Sequence, residues 1–137
     1  TEVLERGKPF LGICLGMQLL AEDSNERGLH RGLGWLPGHV VQVEGSVRPV
    51  RVPHVGWNEV RIARDCRILE GVPDCSDFYF VHSYHFVPTD PADAAATTDY
   101  CGGFVSAVSR AGVFGVQFHP EKSQELGFQV LRNFLEL

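Results

Sequence analysis

A chain of 137 residues with 44% hydrophobic content has the length and apolar material for one core of ordinary size, which leaves no case for two domains. Its 12 basic and 17 acidic residues form no long run of one sign, and the net charge of -5 argues against a general binder of nucleic acid or anionic membranes, leaving small molecules or a protein as partners. No apolar stretch approaches the roughly 20 residues of a membrane span and the first six residues lack the layout of a signal peptide, so a cytoplasmic protein is expected.

Along the chain, Thr1 to Arg6 reads as the end of a helix that Gly7 and Pro9 break. The apolar run from Phe10 to Cys14 reads as a buried strand. Leu15 to Glu22 is rich in helix formers, so strand turns to helix at Cys14 with almost no loop. Residues 24–34 have loop composition. Strand-like pieces follow at His39 to Val43, Trp57 to Ile62, Phe78 to Val81 and His85 to Val87, punctuated by Pro37, Pro49, Pro53, Pro73 and Pro88. Ala94 to Thr98, Phe104 to Ser109 and Val113 to Phe118 read as three adjacent strands, the last two joined by the turn Arg110-Ala111-Gly112. The final segment is helical: Ser123 is its expected cap, and Gly127, Val130, Leu131 and Phe134 share one face. The pattern predicts an α/β fold, an open and mostly parallel sheet flanked by helices and carrying a β-rich insertion.

The four cysteines (Cys14, Cys66, Cys75, Cys101) make no zinc-ribbon or redox-dithiol spacing, and a chain with a core of this size needs no disulfide, so all four are expected as thiols. His82 and His85, three apart in a strand, should face opposite sides, and no carboxylate or thiol lies near them in the strand. No metal site and no cofactor are expected.

Two segments carry chemistry. Gly12-Ile13-Cys14-Leu15-Gly16 has the form of a nucleophile elbow, in which small residues permit a strained turn that lifts the nucleophile off the sheet. Backbone N–H groups at the start of the following helix favour thiolate, and the Leu15 N–H is placed to donate to an oxyanion. The plain alternative is a buried cysteine between Ile13 and Leu15; the flanking glycines favour the elbow. In Gly115-Val116-Gln117-Phe118-His119-Pro120-Glu121, His119 supplies a base at the sheet edge. Glu121, two residues on in an extended segment, can orient it. On spacing alone, an ordinary strand exit fits these residues equally well.

Together, the Gly12 to Gln18 and Gly115 to Glu121 segments resemble the two signatures of class I glutamine amidotransferases. The resemblance implies that Cys14 attacks the carboxamide of glutamine, His119 carries the proton to the departing ammonia and Glu121 orients His119. Met17, the block Pro53-His54-Val55-Gly56-Trp57-Asn58, Phe80-Val81-His82-Ser83-Tyr84 and the extension Lys122-Ser123 look like the glutaminase subunits of imidazole glycerol phosphate synthase. By that resemblance, which runs from about Lys8 to Phe134, Gln18, Ser83 and Tyr84 would help hold glutamine. Trp57, Asn58 and Lys122 would lie near a cyclase subunit that receives the ammonia in a heterodimer serving histidine biosynthesis.

Members of that family begin with further strands and a glycine-rich loop that supplies a second oxyanion donor, which no segment before Thr1 provides. Residues 1–137 are therefore expected to be a partial amidotransferase domain lacking its N-terminal third, with weak or no activity and part of its sheet edge exposed. Two other readings stay open: a cysteine peptidase or γ-glutamyl hydrolase sharing the elbow, and a fold that keeps the motifs without activity.

Overall fold

The computed structural model describes residues 1–44 and 52–137; Pro49, one of the expected punctuation points, lies outside the described residues. The strands are β1 (Phe10–Ile13), β2 (Asp23–Ser24), β3 (His30–Arg31), β4 (Gly38–Gln42), β5 (His54–Ile62), β6 (Ser76–His82), β7 (Tyr84–Pro88), β8 (Ala94–Thr98), β9 (Phe104–Arg110) and β10 (Val113–Val116). The helices are α1 (Leu15–Gln18) and α2 (Gln124–Leu135). Among the described residues the strands form a six-stranded sheet in the order β1-β10-β9-β8-β5-β6 and a four-stranded sheet in the order β3-β2-β4-β7.

The α/β expectation is met, but with a mixed sheet: in the larger one only the β1–β10 pair is parallel, while β10–β9, β9–β8, β8–β5 and β5–β6 run antiparallel. The reason is local. Short turns link several of these strands directly, and a tight turn can join only antiparallel neighbours. Between β9 and β10 the turn residues Ala111 (φ 48°) and Gly112 (φ 83°) both lie in the left-handed region, as the favoured two-residue hairpin turn requires.

Both faces of the larger sheet are covered. Ala107 belongs to one apolar cluster with Phe78, Phe80, Phe118 and Val130. Its neighbour Val108, on the opposite face of β9, belongs to a second with Met17, Leu20, Val40 and Phe86. Helix α2 lies on the first cluster through Val130 and the half-buried Leu126 and Phe134. It comes so close to the preceding turn that a Cβ on Gly127 would collide with the Pro120 carbonyl.

Four expectations change. Thr1 to Arg6 forms a turn, with the Glu5 N–H donating to Thr1 O at 2.9 Å. Helix α1 stops at Gln18 instead of running to Glu22, because the carbonyls of Leu19, Leu20 and Ala21 accept from the N–H groups of Leu33, Leu36 and Gly34 in the returning loop. The segment 24–34 holds the short β2–β3 pair instead of being all loop. Strand β1 is at a sheet edge and mostly half-buried rather than buried, with only Gly12 fully covered.

Candidate active site

The elbow is built by a close approach of backbone to backbone. A Cβ on Gly12 would fall against the Gly16 carbonyl oxygen and 2.7 Å from Met17 N, so only glycine lets the first turn of α1 fold back on β1. Gly16 itself has open space around it. Between them Cys14 takes φ 52° and ψ -107°, a conformation few non-glycine residues adopt and one that costs on the order of 1–3 kcal/mol. The strain is held in place by the parallel β1–β10 register, with Gly12 beside Gly115 and Ile13 beside Val116, and by donation from Cys14 N–H to Val116 O at 2.8 Å.

That register brings the second motif alongside. Strand β10 ends at Val116, three residues before His119, yet the chain stays anchored: the N–H of Gln117 donates to Ser106 O and that of His119 to Tyr79 O, both at 2.9 Å. Pro120 to Lys122 forms a 3-10 turn, so Glu121 reaches His119 across a turn and not along an extended segment. His119 Nδ1 lies 2.6 Å from Glu121 Oε1. A carboxylate only accepts, so Nδ1 carries the hydrogen, and in the neutral ring Nε2 keeps its lone pair. Nε2 is buried and has no hydrogen-bond partner among the described residues.

The thiol donates to Val81 O at 3.7 Å and accepts from Gln117 Nε2 at 3.5 Å. Burial pushes the Cys14 thiol up from its ordinary value, and the Glu121 carboxylate adds to this. The Leu15 N–H, the Gln117 amide and the Lys122 ammonium pull the other way without overcoming it. A four-residue helix offers too little dipole to reverse the balance expected from the elbow. The resting group is therefore a thiol turned to Val81 O.

Of the residues expected to hold substrate, Leu15 and Gln18 line one cavity of about 310 Å³, together with Asp23, Glu26, Arg27 and Arg31. Tyr84 meets Gln18 through its backbone, its carbonyl accepting from Gln18 Nε2 at 3.0 Å, while its side chain packs against the second apolar cluster. Ser83 is tied to strand β4's exit, its carbonyl accepting from Val43 N–H at 2.9 Å. Of the residues expected at a partner face, Trp57 and Lys122 meet on Tyr79. The indole lies edge-on 5.9 Å from the Tyr79 ring, and Lys122 Nζ stands 6.0 Å from its centroid. Trp57 (49% exposed), Val55 and Val81 leave apolar surface on this side of β5 and β6. Asn58, one residue on, points to the opposite side, where its amide meets His54.

The histidines depart from expectation. Ser83 interrupts the strand between His82 and His85, and both rings lie against Phe104, at 4.9 and 6.1 Å, instead of facing opposite sides. The antiparallel β5–β6 register sets His54 opposite His82, with Nδ1 and Nε2 2.9 Å apart. Among the described residues no three His, Cys, Asp or Glu side chains are grouped to hold a metal ion, and the four cysteines are free. Sequence reading missed Gln117 and Ser123. Gln117, fully buried in an otherwise apolar run, links Cys14 to Gln18. Ser123 caps nothing; its hydroxyl donates to His119 O at 2.6 Å and accepts from Tyr79 N–H at 3.0 Å, fixing the segment that carries His119. A lone buried amide in an apolar strand was the available signal for Gln117.

A strained cysteine elbow beside a histidine–glutamate pair on an α/β sheet defines a class of cysteine-dependent hydrolytic sites. The family model for class I glutamine amidotransferases matches residues 1–137, and the chain belongs to that family. Among its relatives, the protein of Pyrococcus furiosus named imidazole glycerol phosphate synthase subunit HisH is 54% identical over 99% of this chain and 69% of its own length. A subunit of the same name from Pelagibacter ubique is 45% identical over 95% of this chain and 62% of its own length. In fold, the chain is similar to the crystal structure of a glutamine amidotransferase from Thermotoga maritima. That likeness has a TM-score of 0.66 at 21% identity and covers 98% of this chain and 50% of that one.

Proposed function

We propose that residues 1–137 are a partial amidotransferase domain and carry the glutaminase site of an imidazole glycerol phosphate synthase, releasing ammonia from glutamine for a cyclase subunit. The observation that carries this reading is the β1–β10 register, which sets the strained Cys14 beside Val116, three residues before the His119–Glu121 pair. The relatives are named as a subunit of imidazole glycerol phosphate synthase, which supports a partner subunit; in this reading the two form a cytoplasmic heterodimer serving histidine biosynthesis.

In this reading Cys14 Sγ attacks the carboxamide carbon while its proton passes to His119 Nε2, and Glu121 stabilises the imidazolium that forms. The Leu15 N–H, already directed at the sulfur, donates to the oxyanion. His119 then protonates the departing nitrogen, ammonia leaves and a γ-glutamyl thioester remains at Cys14. Water, deprotonated by His119, attacks the thioester and releases glutamate and the thiol. Leu15, Gln18, Ser83 and Tyr84 surround the substrate, and Trp57 and Lys122 belong to the side of the molecule that meets the cyclase, where the exposed indole and valines fit a partner's apolar surface, while Asn58 faces inward to His54.

The test is glutamate release from glutamine, with and without a cyclase subunit and its ligand, alongside Cys14→Ala. Turnover that rises with the partner and disappears in the variant is expected. Equal turnover in Cys14→Ala, or cleavage of γ-glutamyl peptides in preference to glutamine, overturns the reading.

A further inference from the structure

We infer that His54 and His82 are positioning residues for the chemistry of Cys14, acting through the Tyr84 carbonyl and the amides of Gln18 and Gln117. The inference rests on the proposed role of Cys14 as nucleophile.

The polarity of the chain of hydrogen bonds is settled at both ends. At one end, Asn58 Oδ1 accepts from Glu59 N–H at 2.8 Å, so Asn58 Nδ2 is the donor toward His54 Nε2 at 3.2 Å. At the other, the Tyr84 carbonyl can only accept, so His82 Nδ1 carries the hydrogen at 2.8 Å. Between them His54 Nδ1–H donates to His82 Nε2 at 2.9 Å. Both rings are then neutral and both carry hydrogen on Nδ1. Their surroundings agree: His54 and His82 are 4% and 6% exposed, and His54 is stacked 3.8 Å from Tyr100 and 5.0 Å from Phe80. Burial lowers both to a pKa of about 4; at His82 the bond to the Tyr84 carbonyl opposes this without overcoming it, and the neighbouring His54, His85 and His119 add to the lowering.

The Tyr84 carbonyl also accepts from Gln18 Nε2 at 3.0 Å, which turns the Gln18 NH2 group inward. That group also donates to Gln117 Oε1 at 3.2 Å, so the Gln117 NH2 group is the end that faces Cys14 Sγ at 3.5 Å. The orientation of Gln117 matters because a donor at sulfur favours thiolate, whereas its carbonyl oxygen in the same place would oppose it. The buried imidazole pair therefore holds in place the carbonyl that sets the orientation of both amides.

Two substitutions in the full chain separate positioning from packing. His54→Phe keeps a ring between Phe80 and Tyr100 but has no donor; His54→Asn puts an amide N–H where Nδ1–H stood and gives up the stack. The readout is the pH–rate profile of alkylation at Cys14 by iodoacetamide, quantified on its own peptide so that Cys66, Cys75 and Cys101 do not contribute. We expect His54→Phe to shift the profile upward and slow alkylation at pH 7 by about tenfold, the effect of one unit in thiol pKa, and His54→Asn to recover most of it. A His54→Phe profile coinciding with that of the unmodified chain, or no recovery in His54→Asn, overturns the inference. Independently of any variant, nitrogen-15 spectra of the unmodified chain at pH 7 should report Nδ1–H tautomers at both rings; an Nε2–H tautomer at either overturns it as well. Alkylation needs no glutamine, so a failed glutaminase assay beside the expected profiles would count against the proposed function and not against the positioning role.

Discussion

Cys14 N–H donates to Val116 O at 2.8 Å, and three residues beyond Val116 the chain reaches His119. One backbone hydrogen bond thus ties Cys14 to the strand exit that carries His119. The distance from Cys14 to the second motif, more than a hundred residues along the chain, is closed by a parallel pairing of four residues.

The two glycines of the elbow should respond in opposite ways. Gly12→Ala drives a methyl group into the backbone of Gly16 and Met17, which cannot give way as a flexible side chain would. A destabilisation of about 2–3 kcal/mol and loss of Cys14 reactivity are expected. Gly16→Ala, in open space on α1, should be neutral or stabilising by up to about 1 kcal/mol. Urea denaturation of the pair decides, and equal stabilities would refute the close-approach argument.

Removing the orienting carboxylate should cost rate and leave the fold alone. Glu121 is exposed and its bond to His119 lies at the surface, so Glu121→Ala should keep its melting temperature. Glutamine turnover should fall by about 10²-fold, with kcat carrying the loss, because the ring tautomer is no longer fixed. A change confined to KM would contradict this.

Ser123→Ala tests the support beneath His119. It strands the Tyr79 N–H and frees the His119 carbonyl, and a loss of about 1–3 kcal/mol is expected. Ser123→Thr, which keeps the hydroxyl, should lie between the two. A capping serine would instead be replaceable by Asp without loss; here Asp lacks the donor to His119 O, and its failure in thermal melts would separate the two roles.

Stability should fall in mild acid. His54 and His82 have a folded-state pKa of about 4 against an ordinary 6.5, so between these values the unfolded chain binds more protons than the folded one. The contribution is complete above about pH 6.5 and is lost as pH falls toward about 4. Denaturation midpoints measured across that window should drop steadily, and less steeply in His54→Phe. A flat profile in the unmodified chain would mean that the pair is not buried and neutral.

Much of the chemistry was legible in the sequence because it is local. The elbow needs Gly12 immediately before a strand-to-helix turn, and Glu121 finds His119 from two residues away whether the backbone is extended or, as here, turned. The hairpin at Ala111 and Gly112, and the apolar face of α2 with Val130 at its centre, were legible for the same reason. The tertiary structure decided what depends on register between distant segments. It paired His54 with His82, set Gln117 between Cys14 and Gln18, and turned Ser123 from a helix cap into a bridge between Tyr79 and His119. It also turned the thiol toward Val81 O and let burial outweigh the donors around it, since the pKa of a group depends on neighbours brought close by folding, which residue order alone does not specify.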